Sequence, residues 1–91
     1  MAAYIVVHFT PINGEKLQEY GAAVPSTLAK HNGELLARGP KEMLHGTQNH
    51  RTQVIIAFPN KEDAVNWYNS DEYQALIPLR DQGMMSEFHL V

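Results

Sequence analysis

The segment Thr52–Phe58 (TQVIIAF) constrains the fold more than any other stretch of the chain. Its apolar run, Val54 to Ala57, lacks the alternation of a strand with one wet face, and such a run belongs to a strand covered on both faces. Thr52–Phe58 is therefore expected at the interior of a sheet. Three other segments supply partners. Ala3–Phe9 (AYIVVHF) is β-branched and aromatic and closes at Thr10-Pro11. Glu34–Gly39 (ELLARG) is short. Ser86–Val91 (SEFHLV) alternates.

Helical signals separate these strands. Asn13-Gly14 opens a stretch running to about His31, with Leu17, Tyr20, Val24 and Leu28 on one stripe. Pro25 lies inside that stripe and predicts a kink or break near Ala22–Pro25. Asn32-Gly33 predicts a left-handed helix end. After Pro59, Asn60 caps a helix carrying Ala64, Trp67 and Tyr68, with Glu62 and Asp63 in its first turn. Ser70 caps a second piece that runs to about Asp81 and carries Tyr73, Leu76, Ile77 and Arg80. Gly83 closes it. Pro40–Arg51 reads as a polar insert in which Glu42–His45 has the makings of a short edge strand and Gly46–His50 those of a turn or loop. The order is β-α-β-β-α-β in 91 residues, enough for one domain over residues 1–91. The direct solution is an α+β, ferredoxin-like sandwich: a four-stranded antiparallel sheet with its helices on one face.

Such a sandwich leaves one sheet face open. Successive strand residues alternate between faces, so Ile5, Val7 and Phe9 form one set of the first strand, and Tyr4, Val6 and His8 the other. The mixed set, with Val91 and one set from Thr52–Phe58, is too apolar for water, and an apolar patch of that kind marks an interface. The expected partner is a second copy of the chain, bound through the open sheet face.

Composition excludes several classes. Seven Lys and Arg against ten Asp and Glu give a net charge of −3, so no basic surface exists to follow a nucleic-acid backbone. No cysteine is present, which removes disulfides, thiolate nucleophiles, zinc–thiolate and iron–sulfur sites. No apolar run approaches the ~20 residues of a membrane span, and the start of the chain lacks a signal-peptide pattern, so the expected location is the cytoplasm. The chain contains no phosphate-binding glycine loop, nucleophile elbow or HExxH pair.

The residues open to chemistry are aromatics, arginines and histidines. Trp67, Tyr68 and Tyr73 are either large pieces of a small core or the wall of a pocket. Arg38 and Arg80 suit a carboxylate, phosphate or enol-type oxygen, or else ion pairs with Glu42, Asp81 or Glu87. His31, His45 and His50 read as surface residues. His8 and His89 fall in the mixed sets of the first and last strands, which are neighbours in this fold, so they can share a face. His8 is the weak candidate for a proton carrier. No metal set is expected, because a third ligand at a recognised spacing is missing.

The run FPNKEDAVNWYNSDEYQALIPLR, together with Asn32–Gly39 (NGELLARG) and Arg51–Ile55 (RTQVI), resembles the domain-of-unknown-function 1330 family. That family belongs to the dimeric α/β-barrel superfamily of ferredoxin-like proteins. Asn32 stands where the family has the first of two glycines. The resemblance implies a homodimer whose sheets pair as a barrel. Relatives in the superfamily include cofactor-free monooxygenases, muconolactone-isomerase-like enzymes and haem-binding proteins. It thus implies a small-molecule-binding protein, needing no cofactor, that acts on a small anionic or enol-type metabolite. Arg38, Trp67, Tyr68, Tyr73 and Arg80 would be its ligand-binding residues. A non-catalytic binding or accessory dimer and a haem binder are the alternatives.

Overall fold

The computed structural model describes residues 1–91. The elements are β1 (Ala3–Pro11), α1 (Gly14–Ala29), β2 (Glu34–Pro40), β3 (Thr52–Phe58), α2 (Lys61–Asn69), α3 (Asp71–Gln74), α4 (Ile77–Gly83) and β4 (Met84–Leu90). The four strands form one antiparallel sheet in the order β2-β3-β1-β4. β3 is interior, as its apolar run requires, and β1 and β4 are neighbours. One face carries Ile5, Val7, Phe9, Ile56 and Phe58 into the core, where Tyr20, Leu28, Trp67 and Tyr73 of the helices meet them. This is the expected α+β sandwich.

Local chemistry sets most boundaries. The Asn13 side chain accepts from the amides of Glu15 and Lys16, and that of Asn60 accepts from Asp63. Asn32 adopts φ 61° and ends the α1 connection in the left-handed region. Gly33 follows because a Cβ there would lie 2.7 Å from Phe58 and 2.8 Å from Leu28.

Four expectations need correction. α1 is a single helix through Pro25. Gly21, whose carbonyl the proline leaves without a donor, is exposed, so the lost bond costs less than it would in a buried turn. Glu42–His45 is not a strand. Pro40 ends the β2 ladder, Lys41 gives its amide to the carbonyl of Arg51, and the insert finds no strand to pair with. The Ser70–Asp81 piece divides into α3 and α4, because Pro78 cannot donate to the carbonyl of Gln74. β4 begins at Met84, two residues early, because β1 continues to Pro11 and pairs with it.

The open face is divided along its length. One cross-strand row runs Gly39, Gln53, His8 and Glu87 and is polar. The rows beyond it hold Ala37, Ile55, Val6 and His89, then Glu34, Ala57 and Tyr4, and are apolar between His89 and Glu34 on the two outer strands. Ile55 and Ala57 are half-buried in a single chain, so the second face of β3 lacks its cover.

Gly83 is the tightest crossing. It is buried, its carbonyl accepts from Ile12 and Asn13, and a Cβ would lie 2.7 Å from the Leu17 backbone nitrogen. Backbone cannot give way as a side-chain tip does. Gly83→Ala is therefore expected to separate α1 from α4 and to lower stability by about 1–3 kcal/mol, the usual range for overpacking. Urea denaturation checks this, and an unchanged midpoint would show that the crossing relaxes freely.

Candidate functional site

The aromatic residues of α2 and α3 form one stack. Trp67 and Tyr73 lie 4.3 Å apart between ring centroids, Tyr68 and Tyr73 5.2 Å, and Tyr68 and Phe88 of β4 5.8 Å. Trp67 and Tyr73 are wholly buried. Burial obliges their polar atoms to find partners. Trp67 Nε1 donates to Thr27 Oγ1 at 2.9 Å, and Thr27 donates to the carbonyl of Val24 at 2.7 Å. The Tyr73 and Tyr20 hydroxyls meet at 2.7 Å. Ser70 joins the two helices: its hydroxyl donates to the carbonyl of Trp67 and accepts from the amide of Tyr73.

Arg80 of α4 reaches into this stack. Its Nη1 donates to Tyr68 Oη at 3.0 Å and Tyr73 Oη at 3.2 Å, and its Nε meets Asp81 Oδ1 at 3.0 Å. The guanidinium carbon stands 4.9 Å from the centroid of Phe88, within cation–π range. Burial works against the charge, yet the hydrogen bonds to Tyr68 and Tyr73 outweigh it and hold the guanidinium above its ordinary pKa. Arg80 Nη2 has no protein partner. It is also not sealed from solvent, since no fully buried side-chain nitrogen is left unbonded.

Beside this stack is a cavity of about 370 Å³, lined by Ile5, Ala64, Val65, Tyr68, Asn69, Phe88, His89 and Leu90. Six of the eight are apolar. The Arg80 guanidinium lies against the rings of Tyr68 and Phe88, which wall it, without lining the cavity itself. The His89 imidazole points away from it, on the open sheet face, 5.7 Å from the His8 ring and with Nε2 3.6 Å from Glu87 Oε1.

The expected site residues fall into four places. Tyr68 lines the cavity, and Arg80 lies directly behind it. Trp67 and Tyr73 do not reach the cavity and build the core under it. Arg38 is on β2, an outer strand, exposed and without an ion pair. The sheet order puts β3 and β1 between it and the β4 edge, so it does not converge with the aromatics. His8 is on the open face, where Lys41 Nζ donates to its Nδ1 at 3.2 Å and the His89 ring stands edge-on at 5.7 Å. Burial, Lys41 and His89 push its pKa down.

His50 is not a surface residue: its side chain is only 11% exposed. Its Nε2 faces Glu87 Oε2 at 3.2 Å, which places the proton there and leaves Nδ1 to accept from Thr10 Oγ1 at 2.7 Å. Sequence spacing misses this contact because it joins residues 40 apart. His8 and His89 share the open face, as strand alternation predicts. No group of three or more His, Asp or Glu is placed to hold a metal ion.

The fold defines the protein's class, a ferredoxin-like α+β sandwich with an apolar cavity between helix α2 and the β4 edge. Residues 2–91 match the family described as a domain of unknown function, DUF1330, and the chain belongs to that family. No curated protein matches it. Among solved structures it is similar to RPA0582, a protein of unknown function from Rhodopseudomonas palustris, with 15% identity, a TM-score of 0.79 and coverage of 99% of this chain and 80% of that one. It is also similar to SnoaB, a cofactor-independent oxygenase from Streptomyces nogalater, at 11% identity, a TM-score of 0.72 and coverage of 99% and 90%. A third is a dimeric ferredoxin-like protein of unknown function from Jannaschia sp. CCS1, at 13% identity, a TM-score of 0.62 and coverage of 98% of each chain. At these identities the likeness is one of fold.

The phenol chain has a pH consequence. Burial pushes the Tyr20 and Tyr73 hydroxyls above the ordinary phenol range. A phenol whose folded pKa is raised contributes stability that is complete below its unfolded pKa, about 10, and is lost as pH climbs beyond it. Ultraviolet titration is expected to show these two tyrosines ionising only as the protein unfolds in alkali. Reversible ionisation of all four tyrosines in the folded state would contradict the burial of the pair.

Proposed function

We propose that the protein binds a small, flat, largely apolar metabolite bearing one anionic or enol-type oxygen, and that it acts on it as an enzyme without a cofactor. The observation that carries this reading is Arg80. A charged guanidinium contacts both rings that wall an apolar cavity, and one of its nitrogens is unclaimed. A donor held in that position, where the surroundings screen it poorly, is worth more to a developing oxyanion than the same group in water. Tyr68, on the cavity wall, adds its hydroxyl as a second donor to that oxygen. In the simplest reaction the carbon next to a carbonyl gives up a proton to water. The electron pair moves onto the oxygen, which Arg80 and the Tyr68 hydroxyl stabilise. Return of the proton to a different carbon completes an isomerisation. An enolate of the same kind is also an electron-rich species open to dioxygen, and SnoaB, of similar fold, is a cofactor-independent oxygenase.

Binding is tested with 2-naphthol and 2-naphthoate, with naphthalene as the oxygen-free control. The amides of Val65, Tyr68, Asn69 and Phe88 are expected to shift saturably with the first two. Tyr68→Phe and Arg80→Lys are expected to weaken binding by about tenfold, equivalent to ~1.4 kcal/mol. Equal affinity in both variants would remove Arg80 from the site. Catalysis is tested by hydrogen–deuterium exchange at the central carbon of a bound 1,3-diketone. Exchange slowed in Tyr68→Phe supports stabilisation of the enolate, and exchange no faster than in buffer leaves a binding protein.

The same reading includes a homodimer through the open sheet face. Tyr4, Val6, Ile55 and Ala57 form its apolar rows, and the Jannaschia protein of this fold is dimeric. Val6→Lys places a charge in the middle of that face. Sedimentation is expected to find a wild-type dimer and a monomeric, folded variant. A monomeric wild type at micromolar concentration would overturn the pairing.

A further inference from the structure

Lys41, His8, His89, Glu87 and His50 form one connected array on the open face of the sheet. Lys41 Nζ donates to His8 Nδ1 at 3.2 Å, and the His8 ring stands edge-on to His89 at 5.7 Å. His89 Nε2 lies 3.6 Å from Glu87 Oε1, and Glu87 Oε2 lies 3.2 Å from His50 Nε2. His8 comes from β1, Glu87 and His89 from β4, and Lys41 and His50 from the two ends of the insert. With the imidazoles neutral, the charges of Lys41 and Glu87 balance. Every imidazole that takes a proton then adds a charge with no carboxylate left for it. His8 tolerates this least. Its Nδ1 accepts from Lys41, so a proton there replaces a hydrogen bond with two facing cations. His50 and His89 would each gain from Glu87 when charged, but one carboxylate balances only one of them.

No other element relieves the array. In its row β3 supplies the neutral Gln53 and β2 supplies Gly39. Glu42, His45 and Arg51 of the insert are exposed and make no ion pair. Glu34, the other acid of this face, is on β2, the strand farthest from β4. The helices lie on the opposite face. The excess of cationic groups is visible in His8, whose pKa is lowered by burial and then by Lys41 and His89, against a smaller pull from Glu87. The position of the array matters as much as its charge. His89 shares a row with Ala37, Ile55 and Val6, in the apolar part of the face. A two-fold pair buries the same patch of both copies, so each charge gained is brought twice into one interface. Like charges repel more strongly there than in water.

We propose that this array makes the pairing of two copies sensitive to pH: the sheets pair while the imidazoles are neutral and separate when His8 and a second imidazole are protonated. The inference rests on the homodimer through the open sheet face proposed above, and it uses none of the residues of the Arg80 cavity. Protons bind the separated chains more readily than the pair. The association therefore weakens as pH falls through the ordinary histidine range, about 6.5. Both copies take up protons on separation, so the dissociation constant is expected to rise by at least about tenfold between pH 7.5 and pH 5.5.

The test is sedimentation of the intact protein at those two pH values and constant ionic strength, with far-ultraviolet circular dichroism to show that the chain stays folded at both. The wild type is expected to be a dimer at the higher pH and a folded monomer at the lower. His8→Gln and His89→Gln are expected to keep the dimer together in acid, because glutamine is polar and takes no proton. Glu87→Gln is expected to act the other way: it removes the one balancing carboxylate, so separation begins at a higher pH. A purely structural role would move all three variants in the same direction. The three side chains lie on the face away from the core, so the variants fold. A wild-type monomer at both pH values would overturn the dimer itself. A dimer equally tight at both, or tighter in acid, would keep the dimer and overturn the switch. Unfolding at the lower pH, or histidine variants that separate as the wild type does, would overturn it too.

Discussion

The fold depends on the contact between Trp67 and Tyr73. Two large rings 4.3 Å apart fill the space between the helices and the sheet, and each fixes a further element by its polar atom. The indole nitrogen holds α1 through Thr27, and the phenol holds it again through Tyr20. Tyr73 also accepts from Arg80, so α4 is attached at the same point. In a chain this small the helices bury little surface, and satisfied polar atoms at the centre of the stack give the packing one arrangement rather than several. Loss of either ring would leave a cavity and orphan a buried donor or acceptor at once.

That contact also produces the candidate site. Because Tyr73 and Trp67 are consumed by the core, Tyr68 is left at the rim, with its hydroxyl turned to Arg80. The arginine is thereby desolvated on the Phe88 side and bonded on the tyrosine side, while one nitrogen remains open. The same residues thus serve stability and recognition. The open sheet face follows a different rule. Its polar row of Gln53, His8 and Glu87 gathers Lys41 and His50 from the insert, while its apolar rows wait for cover.

Much of this was legible in the chain. The interior place of β3 followed from Val54–Ala57, and the neighbouring of β1 and β4 from the element order. Asn13, Asn60 and Ser70 were legible as caps because a cap is a contact over two or three residues. What failed were contacts between distant residues. His50 read as surface because nothing local shows that Thr10 and Glu87 lie within reach. Arg38 and the aromatics were grouped by residue type, yet the sheet order keeps them at opposite sides. The kink at Pro25 did not appear as a break because the cost of a lost helical bond depends on whether water can replace it.

The sequence by itself determined the elements, the alternation that separates a buried face from an open one, and the family. These rest on periodicity, capping and turn chemistry, which act over a few residues. The tertiary structure alone decided that Arg80 and not Arg38 stands behind an aromatic cavity, that His50 packs against Thr10 and Glu87, and that Lys41 reaches His8. Those outcomes depend on strand order and cross-strand register, where a partner is chosen from across the chain by packing and not by distance along it.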